Sequence, residues 1–220
     1  MKLVLASGSQ RRRELLTMCG YDYEIIVSNA DETIDENAPE SFVRALSFRK
    51  AKEVFDRLFA AGWRDFAVIG SDTVVAFQKD GETKPVIIGK PKDAEDAVRI
   101  LSMLSGKTHR VFTGVSVIAD ISDENAAAQC SIREKAEIQT ECSITEVTFE
   151  TLSPDEITDY VNSGDPLDKA GSYGIQGPFG MFVREIRGNY FTVIGMPIPV
   201  LYKMLKKIGI LPHGFYERIE

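Results

Sequence analysis

Apolar stretches of strand length alternate with amphipathic helical segments through the first half of the chain, and in the second half strands follow one another. The predicted strands cover residues 2–6, 23–27, 66–77, 85–89, 108–118, 135–150, 181–186 and 190–196, the last two forming a hairpin with its turn at 187–189. The predicted helices cover residues 11–19, 39–61, 93–106, 153–164 and 198–207. This order favours an α/β fold with a mixed, twisted β-sheet and flanking helices over a purely parallel sheet.

Local signals indicate how several elements begin and turn. Asp93 is placed to cap the third helix, and the segment 153–156 (SPDE) has the residues of a capping box with proline in the first turn. Lys79-Asp80-Gly81 is typical of a hairpin turn, and a polar loop around residues 120–129 separates two long strands. These signals place the element boundaries more narrowly than apolar spacing alone.

Composition restricts the class of protein. The 220 residues are 44% hydrophobic and 27% charged, which suits one domain over 1–220 with a core at 2–207 and an unassigned tail at 208–220. The formal charge of −7 lacks the basic footprint of a general nucleic-acid binder, so an anionic ligand requires a local cluster of basic side chains.

The cysteines and the apolar runs predict the compartment. Three cysteines, at widely spaced positions and without a CxxC pair, favour a reducing cytoplasm over disulfides or zinc. No run approaches the ~18 apolar residues of a membrane span, and the N-terminus becomes polar too early for a signal peptide. We therefore expect a cytoplasmic protein without a membrane partner.

A basic loop follows the first strand. Ser7-Gly8-Ser9 leads into a helix start that carries Arg11, Arg12 and Arg13. A helix N-terminus already carries about half a positive charge, so three arginines there oppose the helix dipole unless an anion binds among them. The loop predicts a phosphate site, and the alternative is a solvated basic turn partly paired with Glu14.

Asp72 follows the apolar run FAVIG with only one residue between, and Thr73 comes next. A carboxylate on a buried strand is costly unless it is paired, binds a metal or opens onto a cleft. The pattern favours a general base or metal ligand, and a turn-capping aspartate is the alternative.

Two loops add candidate ligands. The acidic loop at 31–36 contains Asp31 and Glu32, whose carboxylates suit Mg²⁺ or Mn²⁺, although a solvated acidic loop is the plainer interpretation. The glycine-rich segment 168–177 offers Lys169 for a phosphate, Tyr173 for stacking or a hydroxyl contact, and Gln176 for a base edge. Its alternative is a bulged strand entry.

Three further residues are weaker candidates on their own. Lys50 and Lys90 could converge on phosphates, although an isolated lysine is more often solvated. His109 lies within an alternating strand and is predicted to be a hydrogen-bonded structural residue rather than a catalyst.

Taken together, these segments resemble the Maf family of nucleoside triphosphate pyrophosphatases, relatives of the inosine triphosphatase-like fold. The similar motifs are LASGSQRRRELL at 5–16, RKAK at 49–52, GSDTVV at 70–75, GKP at 89–91, LSGKTH at 104–109 and DKAGSYGIQG at 168–177. They follow one another in order from residue 2 to about 207, with Gln10 where the family usually has proline. The resemblance implies a two-lobed fold with a central cleft.

The resemblance also implies an activity: hydrolysis of a nucleoside triphosphate between its α and β phosphates. Asp72 would be the base that activates water, and Asp72 and Glu32 would hold the divalent metal, Mg²⁺ or Mn²⁺. Arg11, Thr73 and Gln176 match the positions that set base preference. The positions on the phosphate side are Ser9, Arg12, Lys50, Lys90 and Lys169. The arginine pair and the late GIQG resemble the branch that prefers dTTP and UTP.

Other functions remain open at this point. One is a nucleotide-binding regulator of cell division, linked to septum inhibition, with little turnover; another is a purine-type pyrophosphatase acting on inosine or xanthosine triphosphate. The implied partners are the nucleoside triphosphate and a second copy of the chain in a homodimer, with no nucleic acid. Whether the substrate is a standard or a modified pyrimidine nucleotide, and which metal is used, also remain open.

Overall fold

The computed structural model describes residues 1–78, 81–82, 84–121 and 136–214, and within these ranges seven strands form one sheet. The strands are β1 (Lys2–Leu5), β2 (Glu24–Ile25), β3 (Phe66–Phe77), β4 (Val86–Ile88), β5 (Thr108–Asp120), β6 (Ala136–Phe149) and β7 (Val183–Arg187). The helices are α1 (Gln10–Met18), α2 (Pro39–Ala60), α3 (Ala94–Leu104), α4 (Pro154–Asn162), α5 (Tyr190–Ile194) and α6 (Ile198–Lys207). Short 3₁₀ turns lie at Asp165–Asp168, Ala170–Ser172 and Pro178–Phe182.

The sheet is mixed, as predicted. Its order is β2-β1-β3-β5-β6-β7, with β4 paired to one end of β3. β1 runs parallel to β2 and β3, whereas the pairs β3–β4, β3–β5, β5–β6 and β6–β7 are antiparallel. Because Leu5 pairs with Ile69, the loop after β1 lies beside the middle of β3, where Asp72 is.

Alternate residues of the strands pack on opposite faces of the sheet. Leu3 and Leu5 of β1 pack with α1 and α6, whereas Val4 packs with α2. The two faces are therefore covered by different helices, which is the expected result of the period-two alternation of strand side chains. Among the described residues, no helix has both the length and the apolar character that crossing a membrane would need.

The middle of α2 lies unusually close to the sheet. A Cβ atom on Gly70 would overlap the carbonyl oxygen of Ser47, and one on Gly114 would overlap the carbonyl oxygen of Val43. The Ser47 hydroxyl also forms a 3.0 Å hydrogen bond with that of Ser116 on β5. Small residues on both elements thus bring the helix backbone against the strands.

The predicted caps are confirmed. The Asp93 side chain accepts a hydrogen bond from the Asp96 N–H, and Ser153 and Glu156 form both bonds of the capping box. Residues 79 and 80 of the predicted turn, residues 122–129 of the polar loop, Cys130 and the end of the tail at 215–220 lie outside the described residues.

The predicted hairpin at 181–196 is half wrong. β7 forms, but residues 190–194 are helical rather than a returning strand. The Asn189 side chain accepts a hydrogen bond from the Phe191 N–H, and its backbone bonds in both directions with the Thr145 hydroxyl. The local cap and the two bonds to Thr145 of β6 together start a helix after β7, and the helix ends at Gly195, whose φ is +112°. The predicted strand at 23–27 is also shorter, at Glu24–Ile25.

Candidate active site

A cleft of about 1120 Å³ opens where the loop after β1, the middle of α2 and β3, and the segment 168–176 meet. This volume is slightly above the ~300–1,000 Å³ that is typical of small-molecule sites. Each of the ten predicted site residues lines it: Ser9, Arg11, Arg12, Glu32, Lys50, Asp72, Thr73, Lys90, Lys169 and Gln176. The fold therefore brings together residues that are up to 167 positions apart in the sequence.

Lys50 joins two carboxylates at the floor of the cleft. Its Nζ lies 2.7 Å from Asp72 Oδ1 and 2.8 Å from Glu32 Oε1. The Asp72 and Lys50 side chains are 12% and 13% exposed, whereas Glu32 is 65% exposed. Asp72 is thus a nearly buried carboxylate that is paired and still lines the cleft, which excludes the turn-capping alternative.

The charge of Lys50 affects Glu32 directly. Burial raises the pKa of Glu32, but the hydrogen bond and charge of Lys50, aided by Lys90 and Arg12, outweigh it, so the pKa lies below its usual value. Glu32 is therefore ionised at neutral pH. Asp31 has a different environment: its Oδ1 accepts a 2.9 Å bond from the Thr33 N–H within the loop.

Arg12 is held by three contacts at the start of α1. Its Nε donates to the Gly195 carbonyl at 2.9 Å, and its terminal nitrogens donate to the hydroxyls of Ser7 at 3.1 Å and Thr73 at 3.4 Å. Burial lowers the pKa of Arg12, with the nearby Asp72 acting in the opposite direction. A guanidinium has five N–H groups, so these contacts fix its plane and leave two for a ligand.

Ser9 begins α1 as its N-cap residue, and its side chain makes no capping hydrogen bond. The first turn of α1 contains no acidic residue. Arg13 does not join the cleft, because its side chain returns to the Gly8 carbonyl at 3.0 Å. The helix start therefore offers Ser9, Arg12 and its own N–H groups to an anion.

Another part of the cleft lining carries a second set of ion pairs. Arg11 donates to Asp168 Oδ2 at 2.9 Å, and Lys169 contacts Asp168 Oδ1 at 2.7 Å and Asp165 Oδ1 at 2.9 Å. Burial raises the pKa of Asp168, but the hydrogen bonds and charges of Lys169 and Arg11 lower it by more. The pKa of Asp168 is therefore below its usual value. Gln176 and Lys90 are exposed residues of the cleft lining.

The prediction for Tyr173 as a stacking residue or free hydroxyl is wrong. Its ring is 5% exposed and packs edge-on against Phe149 and His109, and its hydroxyl is bonded to His109 Nε2 at 3.0 Å. Tyr173 borders the cleft, but its ring is buried among aromatic neighbours and its hydroxyl is already bonded, so it does not act as a stacking platform. The prediction for His109 as a structural, hydrogen-bonded residue is confirmed by the same contact; burial lowers its pKa to about 3.

The Maf-like protein family profile matches residues 2–208. The chain belongs to the Maf family. It is similar to a protein of Agathobacter rectalis named dTTP/UTP pyrophosphatase, with 41% identity over 217 residues that cover 95% of this chain and 98% of that one.

One further relative and one solved structure also align with most of the chain. A protein of Bacillus thuringiensis, also named dTTP/UTP pyrophosphatase, is 42% identical over 210 residues, covering 95% of this Maf-family chain and 96% of the relative. Among solved structures, the Ham1 protein of Staphylococcus aureus aligns with a TM-score of 0.47 and 16% identity, over 94% of this chain and all of that one.

Several residues of this Maf-family site were not predicted from the sequence. Gly195 accepts both the Arg12 bond and a 2.9 Å bond from the buried Ser71 hydroxyl, although it lies 183 residues after Arg12. Thr113 bonds to the Thr73 hydroxyl at 3.0 Å and donates to the Thr192 carbonyl at 2.7 Å. Serine and threonine in strands are common, so nothing in their spacing distinguishes these positions.

Proposed function

We propose that this Maf-family chain hydrolyses dTTP and UTP to the nucleoside monophosphate and pyrophosphate, as a house-cleaning or pool-controlling enzyme. The observation that carries the proposal is the cleft in which one nearly buried carboxylate, Asp72, lies against Lys50 and Glu32 with arginines and further lysines around it. The names of the relatives indicate a pyrimidine nucleobase, and the basic side chains of the cleft would neutralise the charge of a triphosphate.

In this mechanism Asp72 is the general base. Its carboxylate accepts a proton from water, whose oxygen forms a bond to the α phosphorus while the bond from that phosphorus to the bridging oxygen breaks. The electron pair leaves with pyrophosphate. Lys50 holds the Asp72 carboxylate in place through the 2.7 Å contact and neutralises part of the negative charge that gathers on the phosphates.

Two carboxylates of the cleft are available to a divalent ion. Asp72 and Glu32 both contact the Lys50 ammonium group, so the two side chains already approach the same cation. Among the described residues no group of three or more histidine, cysteine or carboxylate side chains could hold a metal. Mg²⁺ commonly uses one or two carboxylates plus substrate phosphates, so Asp72 and Glu32 would hold Mg²⁺ or Mn²⁺. When bound, the ion would neutralise phosphate charge.

The remaining residues divide between phosphates and base. Ser9, Arg12, Lys90 and Lys169, with the α1 N-terminus, would bind the phosphates. Arg11, Thr73 and Gln176 would set the preference for a pyrimidine base. Thr73 acts in part by fixing Arg12, since its hydroxyl contacts that guanidinium and Thr113.

We further propose one domain over 1–220, a homodimer and a cytoplasmic location. The free thiols of Cys19 and Cys142 support a reducing compartment, and the charge of −7 gives no support for a nucleic-acid partner. Light scattering on the purified chain tests the dimer, and cell fractionation tests the location.

The first experiment is pyrophosphate release with Mg²⁺ and then Mn²⁺, across dTTP, UTP, CTP, dCTP, ATP, GTP and inosine triphosphate. We expect selective turnover of dTTP and UTP. Equal turnover of purine triphosphates would contradict the base assignment. Saturable binding without pyrophosphate release in a folded sample would contradict the enzyme assignment and favour a nucleotide-binding regulator.

A further inference from the structure

Asp168 connects two parts of the cleft wall that are 157 residues apart in the sequence. Its Oδ2 accepts a bond from Arg11 at 2.9 Å, and its Oδ1 contacts Lys169 at 2.7 Å. One carboxylate thus contacts the first turn of α1 and its own loop at the same time. Asp168 is 67% exposed and Arg11 is 28% exposed, so the bridge lies at the rim of the cleft rather than under it.

From Asp168 the contacts continue through the loop toward Gln176. Lys169 also binds the Asp165 carboxylate at 2.9 Å, and the other oxygen of Asp165 accepts a 2.6 Å bond from the Tyr160 hydroxyl. That hydroxyl in turn accepts the Gly174 N–H at 3.0 Å. Gly174 precedes Gln176 by two residues, and the Gly177 N–H returns to the Gly174 carbonyl at 3.3 Å.

Because of this network, Arg11 and Gln176 do not take their positions independently. The ion pairs between Lys50, Asp72 and Glu32 involve a different set of side chains, since within the described part of the chain Asp168 makes its hydrogen bonds and ion pairs with Arg11 and Lys169 and with none of these three. Substitution of Asp168 should therefore change the position of Arg11 relative to the loop at the rim, while Asp72 and Lys50 at the floor keep their contact.

We propose that Asp168 is a positioning residue for base selectivity: it fixes Arg11 relative to the loop that carries Gln176, so that the two side chains together accept a pyrimidine and exclude a purine. The inference rests on the proposed function, because it takes the rim of the cleft as the base-reading end. Asp168 itself does not touch the base and takes no part in proton transfer.

The test compares Asp168→Asn with wild type by two measurements, steady-state pyrophosphate release and calorimetric binding of α,β-imido analogues of dTTP and GTP, which cannot be cleaved. A partly exposed ion pair contributes modestly, so we expect the preference for dTTP over GTP to fall about three- to fivefold, through KM and Kd, with kcat for dTTP nearly unchanged. Asp168→Glu keeps a carboxylate and should restore most of the preference. Glu185→Gln, which removes a 2.9 Å ion pair with Arg187 on β7, is the matched control and should change nothing.

A double-mutant cycle with Arg11→Ala separates positioning from direct contact. If Asp168 acts through Arg11, adding Asp168→Asn to Arg11→Ala causes no further loss of selectivity. Equal weakening of dTTP and GTP analogues by Asp168→Asn would overturn the inference, because it would assign the ion pair to phosphate binding. Thermal unfolding shows whether each variant is folded, and Asp168→Glu retains the test if Asp168→Asn is not.

The binding measurement also separates the two proposals. Selective analogue binding that Asp168→Asn relaxes, without any turnover in wild type, would refute the enzyme and retain the positioning role. Turnover with unaltered selectivity in Asp168→Asn would do the reverse. A wild type that binds neither analogue would refute both.

Discussion

The floor and the rim of the cleft are built in different ways. At the floor, Asp72 and Lys50 come from a twelve-residue strand and a 22-residue helix, and both side chains are nearly buried. At the rim, Arg11, Asp168 and Gln176 come from a helix start and from a loop of short 3₁₀ turns, and their contacts are partly exposed. Under the proposed function, bond making at the floor would depend on atomic positions fixed by packing, whereas recognition at the rim would depend on a network of partly exposed charges.

This difference indicates how each region can change. A substitution at the floor disturbs packed backbone or leaves a nearly buried charge unpaired, so its effect on rate or stability is large. A substitution at the rim changes contacts that water can partly replace, so its effect appears in selectivity and is small. If the proposed function is right, changes in the loop at 168–177 would alter the preferred nucleobase while the sheet retains the same reaction.

The largest expected effect is at the floor, from Asp72→Asn. Loss of the general base should lower kcat for dTTP about 10²- to 10⁴-fold, while the amide keeps the size of the side chain and nucleotide binding persists. Pyrophosphate release assays measure kcat, and calorimetry measures nucleotide binding. Asp56→Asn, which removes an exposed ion pair with Lys52 on α2, is the control. Unchanged turnover in a folded Asp72→Asn protein would show that Asp72 is not the general base. The assignment of catalysis to the floor and recognition to the rim would then be wrong.

The next effect concerns the contact that creates the floor. Gly114 pairs with Asp72 across the strands, and a Cβ there would overlap the Val43 carbonyl of α2. Gly114→Ala should lower the free energy of unfolding by about 1–3 kcal/mol, because either the helix or the strand must shift. Denaturant unfolding measures it, and Gly89→Ala, where an added Cβ meets nothing within 4 Å, is the matched control. Equal stability of the two variants would mean that close helix packing does not hold the floor.

Much of the floor could be predicted from the sequence. Asp72 interrupts an apolar strand, and a carboxylate in that setting must be paired or functional. Lys50 lies on the helix that was predicted over residues 39–61, and it was a candidate for a phosphate contact. The distance between the two could not be predicted, because it depends on Gly70 and Gly114 letting α2 approach, and a glycine in a strand gives no signal of which element crosses it.

The rim was predicted less well, for a physical reason. Glycine density at 168–177 indicated a ligand loop, but its turns are set by bonds from distant residues such as Tyr160 to Gly174. Tyr173 was misplaced because its ring packs into the aromatic core with Phe149. The strand predicted at 190–196 is also wrong, because two bonds to Thr145 of β6 hold Asn189 where its side chain caps the Phe191 N–H, and this overrides strand propensity.

Gln176→Ala tests the rim directly. Loss of an exposed hydrogen-bonding amide should reduce the preference for dTTP over GTP by about two- to tenfold, with a smaller change in kcat. The measurement is kcat/KM for the two nucleotides, with Gln78→Ala as a control outside the cleft lining. An unaltered substrate profile would mean that base selection resides elsewhere, and the rim would lose its distinct role.

The smallest effect concerns His109, which joins the two regions by bonding Tyr173 of the loop to β5 of the sheet. Burial lowers the pKa of His109 to about 3 from 6.5, so below pH 6.5 the unfolded chain binds more protons than the folded one. The free energy of unfolding therefore decreases as the pH is lowered. This residue alone should account for a decrease of about 1 kcal/mol between pH 6.5 and roughly pH 5.5. His109→Gln removes that contribution, so its stability should decline less steeply than that of wild type over this range.

Tyr173→Phe retains the buried imidazole and should keep the wild-type slope. Parallel curves for wild type and His109→Gln would show that the imidazole is solvated in the folded protein, and with it that the loop is not fixed to the sheet at this point.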